Sequence, residues 1–342
     1  MPESRAEALV EIGLGAVRAL VMDGDTVREA HLERDDAGLQ PGTVVEARLT
    51  SILVPGKRGI VRIGTHEALL EPLPRPAEGA LRHMTEGALL RAEVVRAAIP
   101  EAGRPRLAKV RATEAPLAEG ADLVTRLRAA GHGITLLGGS RLSGSGPDRL
   151  EAAGWSEMVE AAMTGHVAFA GGMLTISPTP AMTVIDVDGP GDSEALAQAA
   201  ATAVASALRL LGITGSVAVD FPSIAGKAAR AALDAQLAAA LTVQLEGPFE
   251  KTAINGFGLV QIVRPRAFPS LLEQVRAPGF AALELLRRAA RHIGGGTLTA
   301  HPQVTGWLER RPDLIAALAR QIGGPVSLAT DAGLAMMAGH VA

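Results

Sequence analysis

Two apolar runs of this chain finish on carboxylates. "AMTVIDVDG", residues 181–189, carries Asp186 and Asp188, and "GSVAVDF", residues 215–221, carries Asp220. The run from Ala181 to Val187 lacks polar alternation, which predicts a strand covered on both faces. Between the runs, "SEALAQAAATAVASALRLLG" (193–212) reads as an Ala/Leu helix with Asp192 or Ser193 as its cap and Gly212 as its stop. A strand–helix–strand crossover of this kind sets two parallel strands side by side, about 4.8 Å apart and ending at one edge. Asp186 and Asp220 would then meet at the carboxyl ends of the strands, where open α/β sheets take their ligands. Close carboxylates repel unless a cation lies between them. Their hard oxygens suit Mg²⁺, or Mn²⁺ in its place. An ion so held favours phosphodiester chemistry. The plainer reading is that acids after strands cap helices or open turns, and spacing alone leaves both open.

The elements around these runs follow from pattern. "AEALVEIG", "AVRALVMDG" and "TVREAHLER" (7–33) predict short strands, with "MDGDT" as a hairpin turn. Residues 41–73 and 86–114 add strands punctuated by Pro-Gly and Gly-Thr, together predicting a small closed barrel. "LVTRLRAAGHG" reads as helix. The Gly/Ser-rich stretch 138–149 reads as a loop without the lysine of a phosphate-binding motif. Beyond it, "VAFAGGMLTI", "SVAVDF", "TVQLE" and "FGLVQIV" read as strands and "IAGKAARAALDAQLAAAL" as helix, giving a layered α/β domain. Helices near 279–293 and 312–322 and a strand at 326–330 close the chain.

With 342 residues, 48% hydrophobic and 20% charged, the chain is globular and long enough for two or more cores. No apolar stretch reaches the roughly 18 residues of a membrane span, and the first residues do not read as a signal peptide; a cytoplasmic location and no membrane partner are expected. No cysteine occurs, which excludes disulfides, thiolate chemistry and cysteine-held zinc. The histidines (His31, His66, His83, His132, His166, His292, His301 and His340) show no metal-binding pair at helical spacing and read as ordinary surface or core residues. The net charge of −3 argues against a general nucleic-acid coat. Residues 256–311 nonetheless hold eight arginines against three glutamates, either a basic surface or solvated helix faces.

These blocks, in this order, resemble the ribonuclease E/G family. "PTPAMTVIDVDG" is similar to its catalytic strand, "LRLLGITGSVAVDF" to the block with its second catalytic aspartate, and "FGLVQIVRPR" (257–266) to its Phe-Gly-Leu-Val-Glu segment. The resemblance implies an α/β (α+β) multidomain chain, an RNase H-like/DNase I-like catalytic core with an inserted OB-fold (S1-like) β-barrel. The implied divisions are 1–36, N-terminal RNase H-like strands; 37–114, the barrel; 115–180, a reduced linker and RNase H-like remainder; 181–278, the DNase I-like catalytic domain; and 279–342, a C-terminal small domain. It implies Mg²⁺-dependent endonucleolytic cleavage of single-stranded RNA. Asp186 and Asp220 match the catalytic, metal-binding aspartates, and Asp188 stands where the family usually has Asn. Arg264 and Arg266 match basic residues of the following segment; Lys57, Arg58 and Lys109 are the expected RNA contacts of the barrel.

The chain departs from the family in places. The paired-cysteine zinc link is absent, so no structural zinc is expected and a homodimer, if formed, is not zinc-mediated. No 5′-monophosphate sensor motif is recognisable in 115–165. Residues 41–113 contain no Phe, Tyr or Trp, removing the stacking surfaces worth about 1–3 kcal/mol per base in OB-type binding. The second reading is therefore an RNA-binding or assembly protein, catalytically weak or inactive, that retains the fold.

Overall fold

The computed structural model describes residues 6–73, 84–100, 106–137 and 147–342; most of the Gly/Ser-rich loop expected at 138–149 lies outside them. Contacts divide the chain into two units, Met1–Arg34 with Leu127–Arg264 and Ser270–Ala342, and Asp35–Arg126 with Pro265–Pro269. The expected boundary between 180 and 181 falls inside a single sheet of the first unit.

That unit opens with a meander of β1 (Glu7–Gly13), β2 (Ala16–Asp23) and β3 (Thr26–Arg34). Gly24, at φ 60°, makes the expected hairpin turn between β2 and β3.

The second unit holds β4 (Val44–Val54), β5 (Arg58–Ile63), β6 (His66–Leu70), β7 (Leu89–Arg96) and β8 (Ala108–Ala112). They close as a barrel in the order β4-β5-β6-β8-β7, with β6 and β8 parallel and β4 paired to β7. This order fits the expected S1-like form. Leu49, Val61, Leu70, Val94 and Val110 fill the interior, because alternate residues of each strand face inward.

Helix α1 (Leu123–Ala129) leads to β9 (Gly133–Leu137), which pairs parallel to β1 and completes the sheet β3-β2-β1-β9. Helices α2 (Arg149–Ala152) and α3 (Trp155–Thr164) follow. Then come β10 (His166–Phe169), β11 (Gly172–Pro178), β12 (Thr183–Asp188), α4 (Ser193–Leu210), β13 (Gly215–Asp220), α5 (Lys227–Gln244), β14 (Glu250–Lys251) and β15 (Leu259–Arg264). Their strands form a six-stranded sheet in the order β10-β11-β12-β13-β15-β14. The chain ends with α6 (Leu271–Gln274), α7 (Pro278–Ala289), β16 (Gly296–Ala300), α8 (Pro302–Glu309), α9 (Pro312–Ile322), β17 (Val326–Thr330) and β18 (His340–Val341), the strands pairing as β17-β16-β18.

Three expectations are corrected. Strand β12 is not covered on both faces: Ile185 and Val187 are buried while Asp186 and Asp188 are exposed. Helices α4 and α5 pack together on the Ile185–Val187 face and leave the other face open. "VAFAGGMLTI" is a hairpin rather than one strand, broken by Gly171 at φ 94°. "TVQLE" is not a strand; its first three residues finish α5, whose core contacts Leu233, Leu237 and Leu241 recur every four residues and carry the helix onward. Among the described residues no helix is long and apolar enough to cross a membrane.

Helix α7 is buried nearly all round, yet it carries Glu284 and Arg287 into the interior. Arg18 of β2, fully buried, places Nε 2.7 Å from Glu284. The indole N–H of Trp155 donates to the other Glu284 oxygen at 3.2 Å. Arg287 bonds Glu11 at 2.8 Å and both oxygens of Asp148 at 2.7 and 2.8 Å. Burial opposes the charge on Arg287, but Glu11, then Asp148 and Glu284, raise its pKa above the ordinary value. Part of the arginine-rich stretch thus holds the first sheet to a central helix.

Breaking such a pair strands a charge. Glu284→Ala should cost about 3–5 kcal/mol, read as a lower urea midpoint, whereas joint replacement of Arg18 by Met and Glu284 by Leu should recover most of that loss. A Glu284→Ala midpoint equal to the parent's would contradict the buried-network account.

Candidate active site

Strands β12 and β13 pair in parallel with Asp186 opposite Asp220. Residues opposed in a ladder share a face, and both aspartates lie on the exposed side of the sheet. The pairing continues outward: His166 opposes Thr175, Thr175 opposes Asp186, and Asp220 opposes Leu259. A single row across five strands therefore reads His166, Thr175, Asp186, Asp220, Leu259. Asp188 shares the face of Asp186, one pleat further, beside Met173.

Local chemistry holds these strand ends. Thr179 clamps the β11–β12 turn, its hydroxyl donating to the Met182 carbonyl at 2.7 Å and accepting the Met182 N–H at 3.2 Å. Beyond Asp188 the backbone of Gly189 runs so close to Gly171 that an added Cβ would lie 2.6 Å from the Gly171 oxygen. Asp188 accepts the N–H of Gly189 at 2.8 Å, and Asp192 caps α4 through the N–H of Ala195 at 2.8 Å. Helix capping, the plainer reading of such acids, is thus the task of Asp192. Among the described residues Asp186 and Asp220 have no hydrogen bond or ion pair. Two free, exposed, hard-oxygen groups on neighbouring strands fit a divalent cation that takes few protein ligands.

The basic residues are placed differently. Arg264 opposes Gly215, at the other end of β13 from Asp220, roughly 17 Å away at strand spacing. Its guanidinium donates to the Ile213 carbonyl at 2.7 Å, and burial lowers its pKa against the pull of Glu29. Arg266 is half-buried and belongs to the unit that contains the barrel. In the barrel Lys57 is exposed, while Arg58 and Lys109 each reach Glu71 at 2.8 Å and lower its pKa. His166, Thr175 and Leu259 join the aspartate row without any signal in the sequence, because register across three connections places them there.

One trio of metal-type donors, Glu29, His132 and Glu246, lies within 4.8 Å among the described residues. Glu29 already has partners: His31 at 2.7 Å and Arg209 at 2.7 Å. Burial alone raises its pKa, but the hydrogen bond and charge of His31, then those of Arg209, outweigh burial and hold it at about 2. Its oxygens are committed to structure.

The fold and site together define a layered α/β unit with paired acids on an open sheet face, in a chain that also carries an OB-type barrel. Residues 142–267 match the model of the Ribonuclease E/G family, and this segment contains Asp186, Asp188, Asp220, Arg264 and Arg266. The match supports the chain as a member of that family and suggests a ribonuclease-type function. Family members act on RNA and generally use a divalent metal; without cysteine, this chain cannot form the family's zinc link. Comparison with curated proteins finds no match.

The low pKa of Glu29 has a measurable consequence. Its folded value lies below the ordinary 4.5, so its stabilisation is complete above that pH and is lost as the pH falls toward 2. Between pH 6 and pH 3 the parent should lose about 2 kcal/mol that a Glu29→Gln variant does not lose. A parent–variant gap in urea midpoint that is equal at both pH values would contradict the assignment.

Proposed function

We propose that the chain is a metal-dependent endoribonuclease that cleaves within single-stranded RNA in the cytoplasm. The observation that carries this reading is the opposition of Asp186 and Asp220 on one open face, neither paired with a cation among the described residues. Asp186 and Asp220 would hold Mg²⁺, with Mn²⁺ able to replace it, and Asp188 would add charge beside them. The bound ion would supply Lewis acidity toward a phosphodiester and neutralise charge at phosphorus. The protein's part is to fix two oxygens at one strand spacing and leave remaining coordination to water and phosphate. The exposed face admits a strand along its length, as a polymer substrate needs. On this reading the sheet β3-β2-β1-β9 is the RNase H-like half and the six-stranded layer is the DNase I-like half. The barrel is S1-like, with Lys57 an exposed cation for a phosphate backbone. Arg264, by its position, acts on RNA only indirectly, through the end of β15 that it braces.

Isosteric replacement separates chemistry from folding. Asp186→Asn and Asp220→Asn should each lower cleavage of a labelled 15-nucleotide RNA at least about 100-fold, while the unfolding free energy from urea titration moves by no more than about 0.5 kcal/mol. Chelation by EDTA should stop the parent and added Mg²⁺ restore it. Asp188→Asn, which installs the residue usual in the family, should keep cutting. RNA binding without internal products in Mg²⁺ or Mn²⁺ would replace this reading with that of a non-catalytic RNA-binding protein.

A further inference from the structure

The aromatic residues of this chain are few, and all fall within the described residues. Phe221, Phe280, Trp155 and Trp307 are buried, and Phe169, Phe249 and Phe268 are half-buried. Phe257 alone is open, at 84% exposure. It sits at the tip between β14 and β15, two residues before Leu259, the partner of Asp220.

The tip is tightly built. The Asn255 side chain accepts the N–H of Phe257 at 2.9 Å and that of Leu259 at 3.1 Å. The Asn255 N–H donates to the Leu259 carbonyl at 3.0 Å, and the Gly258 N–H to the Asn255 carbonyl at 3.2 Å. Gly258, at φ 92°, lies so close to Phe221 that only glycine fits, and its carbonyl accepts the Phe221 N–H at 3.2 Å. Asp234 of α5 pins the stem through Lys251 at 2.6 Å and the Ile254 N–H at 3.0 Å. The residue that anchors the tip is thus the one immediately after Asp220. A Cβ on Gly256 would meet nothing within 4 Å, so the turn is open at the residue before the ring.

An exposed ring on a fixed turn contributes nothing to the core and loses little entropy when a flat partner settles on it. From Leu259, opposite Asp220 at about 5 Å, the ring is two residues away, at most about 7 Å further along the chain. We propose that Phe257 is a stacking platform for a nucleobase of single-stranded RNA, fixing the nucleotide next to, or one removed from, the phosphate presented to Asp186 and Asp220. The assignment rests on the endoribonuclease reading of that pair. It gives the site the aromatic surface that residues 41–113 lack. A base is favoured over a protein surface because Asn255, Gly256 and Gly258 add no apolar side chain next to the ring and Leu259 adds only a half-exposed one, while the adjacent carboxylates call for a cation-bearing, phosphate-rich partner.

The test uses a fluorescent 10-nucleotide RNA, bound to the full chain in EDTA so that no cutting occurs, and the same RNA cut in Mg²⁺. Phe257→Ala should weaken binding on the order of 5- to 100-fold, and raise KM by more than it lowers kcat. Phe257→Trp should bind as the parent does, and Phe257→Leu should remain weak, because it keeps apolar area without a π face. One abasic substitution near the cut should weaken parent binding while leaving Phe257→Ala unaffected. Equal binding by Phe257→Ala and parent overturns the platform; if cutting still depends on Asp186, the nuclease reading survives without it. A binding loss in EDTA for a parent that never cuts keeps the platform and removes the nuclease. A Phe257→Ala variant with unchanged RNA binding and altered sedimentation assigns the ring to contact between copies, and overturns the proposal.

Discussion

The site depends on the register of β12 against β13. Side chains alternate across a strand, so a slip of one residue would turn Val219 outward and drive Asp220 into the core beside Ile185. Burial prevents this, since Ile185 and Val219 oppose each other as fully covered residues. The α4 crossover and the Thr179 clamp feed β12 into the sheet at a fixed position. The carboxylates therefore stay together by the cohesion of the apolar face beneath them. Their repulsion is tolerable because water reaches both: at 4 Å two charges interact by about 1 kcal/mol in water, and many times more in a dry interior. An exposed acid pair is inexpensive to fold around, and a cation can relieve what repulsion remains.

Opposite economics govern the buried charges of the same unit. Arg18, Glu284, Arg287, Glu11 and Asp148 lie where desolvation is severe, and they persist because nearly every charge has a close partner. The arginine-rich stretch reads differently in this light. Arg264 is bound to a carbonyl, Arg287 lies in the interior network, Arg288 donates to the Gly339 carbonyl at 2.8 Å, and Arg311 stacks 3.7 Å over Trp307. Those cations brace helices and strand ends. Of the two readings of this stretch, basic surface or solvated helix faces, neither covers Arg264, on a strand, or the buried Arg287, whereas Arg288 keeps an exposed position on α7.

Legibility in the sequence followed the range of the interactions involved. Local signals sufficed for the β1–β3 meander, the caps of α4 and the five barrel strands, whose turns are written in Pro, Gly and Asp. The parallel neighbours β12 and β13 were also readable, because a single helix-length crossover admits few arrangements. What depended on several connections was not: the open face of β12, the hairpin hidden in "VAFAGGMLTI", and the arrival of His166, Thr175 and Leu259 in the aspartate row. Composition hid the open face, since Val184 occupies an outward position and makes the strand look apolar throughout. In α5, alanine-rich sequence ran past the residues that looked like β-formers. His301 and Pro302 start α8 together, a cap followed by an N1 proline, a local signal for a helix that the expected elements of 279–342 leave out.

The flatness of the site bears on what it can act upon. Small substrates are held in concave, largely apolar clefts that cover most of their surface. The aspartate row instead lies across the exposed side of a sheet, ending at Leu259 with Met173 beside Asp188, both open to solvent. A ligand there gains little from enclosure and must accumulate affinity over length. A polymer can do so: each phosphate contact is weak and screened by salt, but successive contacts belong to one molecule, and the second forms at the high effective concentration set by the first. The same geometry limits discrimination by sequence, since a flat row of carboxylates reads phosphate and cation rather than base edges. Selectivity on the proposed reading therefore falls to conformation. A flexible single strand can follow the twist of the sheet and splay its bases aside, whereas a duplex keeps its bases stacked and brings its own stiffness to the surface.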